Sequence, residues 1–207
     1  MTPIAAPRHP YHPIPRLAVL CSGEGTNLAA ILEAIRDRRL RAKVALVISD
    51  RPGVKALRRA RGALIDTHTV EPTRYDTREQ FERALITLCE AHEVDLICLA
   101  GFMRVLSSRF VHRYHHRILN IHPALLPAFP GAHAIRDALA WGVKMTGVTV
   151  HLVDRHVDHG PILLQEAVPI RPRESEAQLL ARVHRIEHRL YPKAIQLLLD
   201  GRVHVRG

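Results

Sequence analysis

The first half of the chain alternates short apolar runs with amphipathic segments. Strands are predicted where apolar residues are continuous or nearly so, over residues 17–21, 44–49, 64–69 and 94–100. Helices are predicted where apolar residues recur at helical spacing, over residues 27–39, 52–62 and 77–92, with Thr26 as the N-cap of the first. Buried strands that alternate with helices predict an α/β fold with a mostly parallel sheet covered on both faces. In such sheets ligands bind beyond the carboxyl ends of the strands.

The pattern changes in the second half. The predicted elements are, in order, a short strand over residues 118–120, a loop over 124–134, a helix over 134–141, strands over 146–153 and 162–170, and a long helix over 175–199. The first of the two later strands alternates apolar and polar side chains, which predicts that it is half exposed. The long helix is expected to begin after the N-cap Ser175 and to kink at Pro192.

Length and composition limit the class of protein. The 207 residues and 47% hydrophobic content suffice for one sizeable core. Because no repeat or linker divides the chain, a single domain over residues 16–207 is expected after a disordered, proline-rich extension over residues 1–15. No apolar run approaches the roughly 20 residues that span a bilayer, and no secretory signal is recognised. A cytoplasmic protein without membrane association is therefore expected.

The net charge of +10 raises the question of nucleic-acid binding. The basic residues are scattered, however, and the aromatic content of 4% leaves few platforms on which bases could stack. A basic surface would equally steer small anionic substrates, so we expect small-molecule substrates and no nucleic-acid partner. The three cysteines and 15 histidines follow no metal-site spacing, which predicts reduced thiols, hydrogen-bonded or solvated histidines and no metal.

Residues 120–161 contain the side chains with the clearest chemical potential. Asn120 and His122 are two residues apart, so on a regular strand they project to the same side. Asp158 follows further along the chain. An amide can hold a carbonyl oxygen, an imidazole can move a proton, and a carboxylate can orient the imidazole. This set predicts an acyl-transfer site that needs neither a metal nor a covalent nucleophile.

A glycine-containing segment, Ser22-Gly-Glu-Gly-Thr-Asn27, directly follows the first predicted strand. Glycines allow backbone N–H groups to approach a phosphate, and the helix that follows would add its positive end. The alternative is a tight strand-to-helix turn without a ligand. Together with the residues described above, the segment favours a phosphorylated acceptor for the acyl group.

Several separated motifs occur in an order typical of one family. They are the 22–27 loop, Leu99-Ala-Gly-Phe-Met-Arg104, Leu119-Asn-Ile-His-Pro123 with Leu125-Leu-Pro127, and the segments 147–151, 154–161, 187–188 and 191–192. With these motifs the chain resembles the phosphoribosylglycinamide formyltransferase family from about residue 17 to residue 203. The resemblance implies formyl transfer from 10-formyltetrahydrofolate to the amine of glycinamide ribonucleotide in de novo purine synthesis. It also implies a twisted, mostly parallel sheet of about seven strands with a Rossmann-like N-terminal half.

The resemblance further implies roles for individual residues. The catalytic residues would be Asn120, His122 and Asp158. The ribonucleotide would be bound by Gly25, Thr26, Asn27, Leu28, Ala29, His184 and Glu187. The folate would be bound by Arg78, Met103, Arg104, Val105, Leu106, Asn120, Asp154 and Asp158. In the ribonucleotide site, His184 occupies a position where members of the family often carry Lys.

Other functions are compatible with part of the same pattern. A formyltetrahydrofolate deformylase would use water as the acceptor, and a methionyl-tRNA formyltransferase would suit the positive charge, but both are expected to carry a further domain. A protein that binds folate or nucleotide without catalysis is the alternative from another class, and the set Asn120, His122 and Asp158 argues against it. The oligomeric state stays open between monomer and homodimer.

Overall fold

The computed structural model describes residues 2–4 and 13–205. Its strands are β1 (Thr2–Ile4), β2 (Arg16–Cys21), β3 (Lys43–Ser49), β4 (Asp66–Thr69), β5 (Leu96–Leu99), β6 (Ile118–His122), β7 (Met145–Leu152), β8 (Ile162–Pro169) and β9 (Val203–Val205). Its α-helices are α1 (Thr26–Arg36), α2 (Lys55–Gly62), α3 (Arg78–Ala91), α4 (Ser108–Arg113), α5 (Ala134–Trp141) and α6 (Glu176–Leu199), and Pro72–Arg74 form a 3₁₀ helix. Every element predicted from the sequence is present in the predicted order, whereas α4, β1 and β9 were not predicted.

Seven of the strands form one sheet, in the order β4-β3-β2-β5-β6-β7-β8. Pairing is parallel from β4 to β6 and antiparallel between β6, β7 and β8. The predicted α/β class with a mostly parallel, seven-stranded sheet is therefore confirmed.

Helices cover both faces of this sheet, as the side chains of β2 illustrate. Leu17 and Val19 belong to a core that includes residues of α1, α2 and α6. Ala18 and Leu20 belong to a second core with residues of α3 and α4. Because successive side chains of a strand point to opposite faces, a strand buried on both faces must be apolar throughout. This explains the continuous apolar run from which β2 was predicted.

The long helix α6 begins as the sequence predicted. The Ser175 side chain accepts a hydrogen bond from Gln178 N–H, and the Gln178 side-chain oxygen accepts one from Ser175 N–H, which completes a capping box. Pro192 lies inside the helix, and the kink predicted there stays a prediction. None of the helices in the described residues is both long and apolar enough to cross a membrane.

The strand predicted over residues 146–153 is present as β7, but its predicted half exposure is wrong, because β7 is buried from Thr146 to Leu152. Thr149 and His151 have internal partners instead of solvent, whereas the buried Thr146 hydroxyl has no partner among the described atoms. The Thr149 hydroxyl donates to the Ala124 carbonyl at 2.6 Å and accepts from Leu126 N–H at 3.0 Å. The polar residues at positions 149 and 151 are therefore satisfied buried groups, which cost little when hydrogen-bonded.

The disordered extension predicted over residues 1–15 stays a prediction; within it, Thr2–Ile4 pair antiparallel with β9. The backbone of this short strand finds its hydrogen-bond partners near the other end of the chain, and the local sequence does not reveal such partners. Residues 1 and 5–12 lie outside the described residues.

The carboxyl ends of β2, β5 and β6 meet at one edge of the sheet, since these strands are neighbours and parallel. Hydrogen bonds join the loops that follow them. Ser22 N–H donates to the Gly101 carbonyl at 3.0 Å, and Met103 N–H donates to Ser22 Oγ at 2.9 Å. The predicted phosphate loop and the predicted folate segment are therefore adjacent.

Candidate active site

Asp158 lies in the loop between β7 and β8, with a backbone φ of 51°. Its Oδ2 accepts a hydrogen bond from Gly131 N–H at 2.7 Å, and its Oδ1 accepts one from Asn120 Nδ2 at 3.3 Å. Burial acts to raise the pKa of Asp158, but the hydrogen bond from Gly131 N–H and the nearby His151 and His122 rings bring that pKa below its usual value. The side chain is thus held as a carboxylate beside the other two predicted catalytic residues.

His122, at the end of β6, is buried between two oxygen acceptors. Its Nε2 lies 2.8 Å from the Phe129 carbonyl, and its Nδ1 lies 3.4 Å from Asp158 Oδ2. A carbonyl can only accept, so the neutral ring carries its proton on Nε2 and turns the Nδ1 lone pair towards Asp158. Burial lowers the pKa of His122, against the opposing effects of the Asp158 charge and the Phe129 carbonyl. The ring is therefore mainly neutral in the free protein at pH 7.

His151 is a site residue that the sequence analysis did not identify. It lies opposite Asn120 in the β6–β7 ladder and is buried. Its Nδ1 lies 2.9 Å from the Leu152 carbonyl, and its Nε2 lies 3.1 Å from Asn120 Nδ2. Because the amide nitrogen is a donor, Nε2 accepts and Nδ1 carries the proton. His151 thereby orients the Asn120 amide, a contact that only the antiparallel register of β7 creates.

A cleft of about 270 Å³ opens beside these residues. Its lining includes seven of the eight predicted folate residues: Met103, Arg104, Val105, Leu106, Asn120, Asp154 and Asp158. Two of the apolar side chains are exposed in the free protein, Met103 by 56% and Val105 by 63%, and they offer a surface for an aromatic ligand. Arg104 is held by Asp50, with Nε 2.8 Å from the carboxylate.

Arg78 is the predicted folate residue that does not line the cleft. It lies in the first turn of α3, where its guanidinium donates to the Val105 carbonyl and, at 3.2 Å, to Glu82. Glu82 also accepts from Ser107 N–H at 2.6 Å. In the free protein, Arg78 therefore supports the backbone of the cleft-lining segment instead of facing the cleft.

The predicted phosphate loop ends at Gly25, which is the N-cap of α1 with φ 70°. The assignment of Thr26 as N-cap is therefore wrong, because the chain turns one residue earlier through a left-handed glycine. No side chain caps this helix within the described residues, so its first N–H groups have no side-chain acceptor. The Glu24 carboxylate pairs with Lys55 at 2.8 Å. The geometry suits an anion at the start of α1.

Three other predicted ribonucleotide residues, Asn27, His184 and Glu187, meet across α1 and α6, whereas Leu28 is buried in the core. Asn27 Nδ2 donates to Glu187 Oε2 at 2.9 Å, although the two residues are 160 positions apart. His184 Nε2 lies 4.0 Å from the same carboxylate oxygen. Burial raises the pKa of Glu187. Among the described atoms, the buried Asn27 Oδ1 has no hydrogen-bond partner, so this cluster offers an unused acceptor.

An amide, an imidazole and a carboxylate at the carboxyl end of a mostly parallel sheet define a site suited to acyl transfer. The chain belongs to the formyl transferase family, whose sequence profile matches residues 15–195.

Individual relatives agree with this family. The chain is 40% identical to the phosphoribosylglycinamide formyltransferase of Bacillus subtilis, over 89% of this chain and 94% of the relative. It is 47% identical to the trifunctional purine biosynthetic protein adenosine-3 of Drosophila melanogaster, but it spans only 14% of the length of that relative. The glycinamide ribonucleotide transformylase 1 structure from Symbiobacterium toebii superposes with a TM-score of 0.92 at 45% identity, covering 98% of this chain and 96% of that one.

Proposed function

We propose that this protein transfers the formyl group of 10-formyltetrahydrofolate to the amine of glycinamide ribonucleotide, in de novo purine biosynthesis. The observation that carries the proposal is the convergence of Asn120, His122 and Asp158 on the wall of one cleft. Two lining residues of this cleft, Gly101 and Met103, hydrogen-bond to Ser22 in the loop that leads into α1. The names of the relatives in Bacillus subtilis and Symbiobacterium toebii support the same activity. A cytoplasmic location and a monomeric or homodimeric state stay predictions.

The reaction needs a donor for the formyl oxygen, which becomes negative when the amine attacks the formyl carbon. The Asn120 amide is suited to this role because His151 orients its nitrogen. Both of its N–H groups are engaged, by His151 Nε2 at 3.1 Å and by Asp158 Oδ1 at 3.3 Å, so the longer bond to Asp158 must open before the amide can donate to the formyl oxygen. The bond that remains keeps the donor oriented while negative charge develops on that oxygen.

The reaction also needs a path for a proton. The amine loses one after attack, and the departing folate nitrogen gains one. Neutral His122 can take the proton on Nδ1, where Asp158 Oδ2 at 3.4 Å stabilises the imidazolium. The proton then passes to the leaving nitrogen, so the site returns to its initial state. For His122 also to donate to the formyl oxygen, its Nε2–H must leave the Phe129 carbonyl.

The phosphate of the acceptor is proposed to bind at the start of α1. The uncapped N–H groups from Thr26 onwards supply donors, and Lys55 supplies a nearby cation once Glu24 releases it. Asn27, His184 and Glu187 would then contact the rest of the ribonucleotide. A phosphorylated acceptor distinguishes this function from hydrolysis by a deformylase, in which water would attack.

The release of tetrahydrofolate tests the proposal. Purified protein is mixed with 10-formyltetrahydrofolate, with and without glycinamide ribonucleotide. Release that depends on the ribonucleotide, with formylglycinamide ribonucleotide as product, is the expected result. Equal release without the ribonucleotide would instead indicate the deformylase, and no release from folded protein would favour binding without catalysis.

The protonation of His122 gives a prediction about pH. Burial lowers the pKa of this ring, so its NMR titration midpoint in the free protein is expected below the ordinary value of 6.5. In Asp158→Asn the midpoint is expected to fall further, since the carboxylate that favours the imidazolium is removed. A His122→Gln spectrum assigns the signal, and a midpoint above 6.5 would contradict the prediction.

The same lowered pKa has a consequence for stability. A histidine whose folded-state pKa lies below its unfolded value contributes stability that is present above the unfolded value and is lost as the pH falls through the folded one. The free energy of unfolding of the wild-type protein, measured by denaturant titration, is therefore expected to decrease below pH 6.5. In His122→Gln it should decrease less over the same pH range.

Gly25→Ala tests the phosphate loop. At φ 70° a side chain is strained, and an added Cβ would lie 2.7 Å from the Cα and Cβ of Ala56, so α1 and α2 must shift. The KM for the ribonucleotide is expected to rise at least about tenfold, with the folate KM within about twofold. Gly23→Ala is the matched control, because no described atom lies within 4 Å of its Cβ position. Similar kinetics in both variants would contradict this role.

A further inference from the structure

Three potential metal ligands lie together in the loop between β7 and β8. Asp154, His156 and His159 each offer one atom, and these atoms all lie within 4.8 Å of one another. The His159 Nδ1 is already 2.7 Å from Asp154 Oδ2, and the two imidazole ring centroids are 5.1 Å apart. The histidines were expected to be solvated or hydrogen-bonded, and the spacing D-x-H-x-x-H matches no motif considered in the sequence analysis. The turn of the loop creates the cluster.

The chemistry of these side chains favours a particular class of ion. Two imidazoles and one carboxylate suit borderline divalent transition metals, whereas Mg²⁺ prefers oxygen ligands and retains its waters. Zn²⁺ binds imidazole nitrogen and carboxylate oxygen at roughly 2.0–2.2 Å with tetrahedral geometry, so two atoms bound to the same ion lie about 3.4 Å apart. The ligand atoms of the cluster lie within 4.8 Å of one another, so rotation of the exposed histidine side chains would bring them to this separation.

The Asp154 carboxylate is oriented as a metal ligand would be. Its Oδ1 accepts a hydrogen bond from His156 N–H at 2.8 Å, which orients it towards the histidine side of the loop. A carboxylate is already deprotonated at neutral pH, as a metal ligand must be.

We propose that Asp154, His156 and His159 form a binding site for a divalent transition metal ion of the Zn²⁺ and Co²⁺ class. None of the three ligands is among the residues that carry out the proposed chemistry, which needs no metal, although Asp154 belongs to the predicted folate set. Three protein ligands leave at least one position for water or for a ligand in the cleft, since Asp154 and His156 also line that cleft.

The ion would restrict the loop that carries Asp158. The three ligands lie on both sides of this residue, which has a φ of 51°. Just beyond, Gly160 approaches β7 so closely that a Cβ would lie 2.0 Å from the Leu152 carbonyl oxygen. A metal ion bound by both Asp154 and His159 would fix the two ends of this turn relative to each other. The bound ion is therefore expected to restrict the motion of residues 154–159.

A Co²⁺ titration of metal-free protein, followed by visible absorption, tests the site. We expect one visible d–d band that Zn²⁺ abolishes and that excess Mg²⁺ leaves unchanged. His156→Ala and His159→Ala are each expected to weaken Co²⁺ binding by at least about tenfold. His115→Ala is the matched control, because its ring stacks on that of His116 elsewhere on the surface, with centroids 3.7 Å apart. It should bind as the wild type does.

The protection of the β7–β8 loop from proteolysis is a second test of metal binding. Arg155 is exposed and offers a trypsin site between the proposed ligands. Mass spectrometry should show slower cleavage at this bond with Co²⁺ in the wild-type and His115→Ala proteins, and no protection in His159→Ala. The proposal is overturned if the wild type does not bind Co²⁺, or if His156→Ala and His159→Ala bind it and are protected as the wild type is.

Discussion

Asp158→Asn is expected to lower the turnover number for formyl transfer by at least about 100-fold, the range that general acid–base catalysis supplies. The exchange preserves size and removes the charge that would stabilise a protonated His122 at Nδ1. Asn also tolerates the left-handed backbone at φ 51°, so the loop should keep its conformation. The effect should therefore appear in turnover and not in folding.

Steady-state release of tetrahydrofolate measures this effect, and thermal unfolding confirms that the variant is folded. Asp137→Asn is a suitable control because Asp137 lies on α5 with its side chain 42% exposed. It should retain wild-type turnover. Normal turnover in folded Asp158→Asn protein would remove Asp158 from the proposed mechanism.

Asn120→Ala is expected to lower turnover by about 100- to 1,000-fold, the typical result of losing one oxyanion donor. The amide is the donor that we propose for the formyl oxygen. Its loss also leaves the buried His151 Nε2 and one Asp158 oxygen without their partner. The KM values should change less than turnover, since the interaction with the oxygen strengthens only as charge develops.

A double variant separates a shared role from two independent ones. If Asn120 and His122 act on the same transition state, Asn120→Ala combined with His122→Ala should be little slower than the slower single variant. If the reduction in turnover of the double variant equals the product of the two single reductions, the two residues contribute independently. Turnover near the wild-type value in folded Asn120→Ala protein would contradict the proposed oxyanion site.

The sequence predicted the fold well because its signals are local. The apolar runs of β2, β3 and β5 and the helical spacing of α1, α3 and α6 each follow from the faces that a strand or helix must bury. Ends of elements were less certain, as in the helix predicted from residue 52, which begins at Lys55. There, Pro52 and Gly53 form a turn before the helix.

Errors arose where a polar residue had a distant partner. The strand β7 was predicted to be half exposed because Thr149 and His151 are polar, yet both are buried. Their hydrogen bonds reach Ala124 and Asn120, which are 25 and 31 positions away. Periodicity describes one element at a time, so it cannot tell a polar residue in solvent from a satisfied one in the core.

The sequence by itself determined the class of fold, the shared strand of Asn120 and His122, and the glycine turn before α1, because each follows from neighbouring residues. Only the tertiary structure decided that Asp158 meets Gly131, that Asn27 meets Glu187 and that three loop residues form a potential metal site. Those contacts depend on strand order, antiparallel register and the path of a loop. Packing between distant parts of the chain determines these contacts, and a local sequence pattern does not predict them.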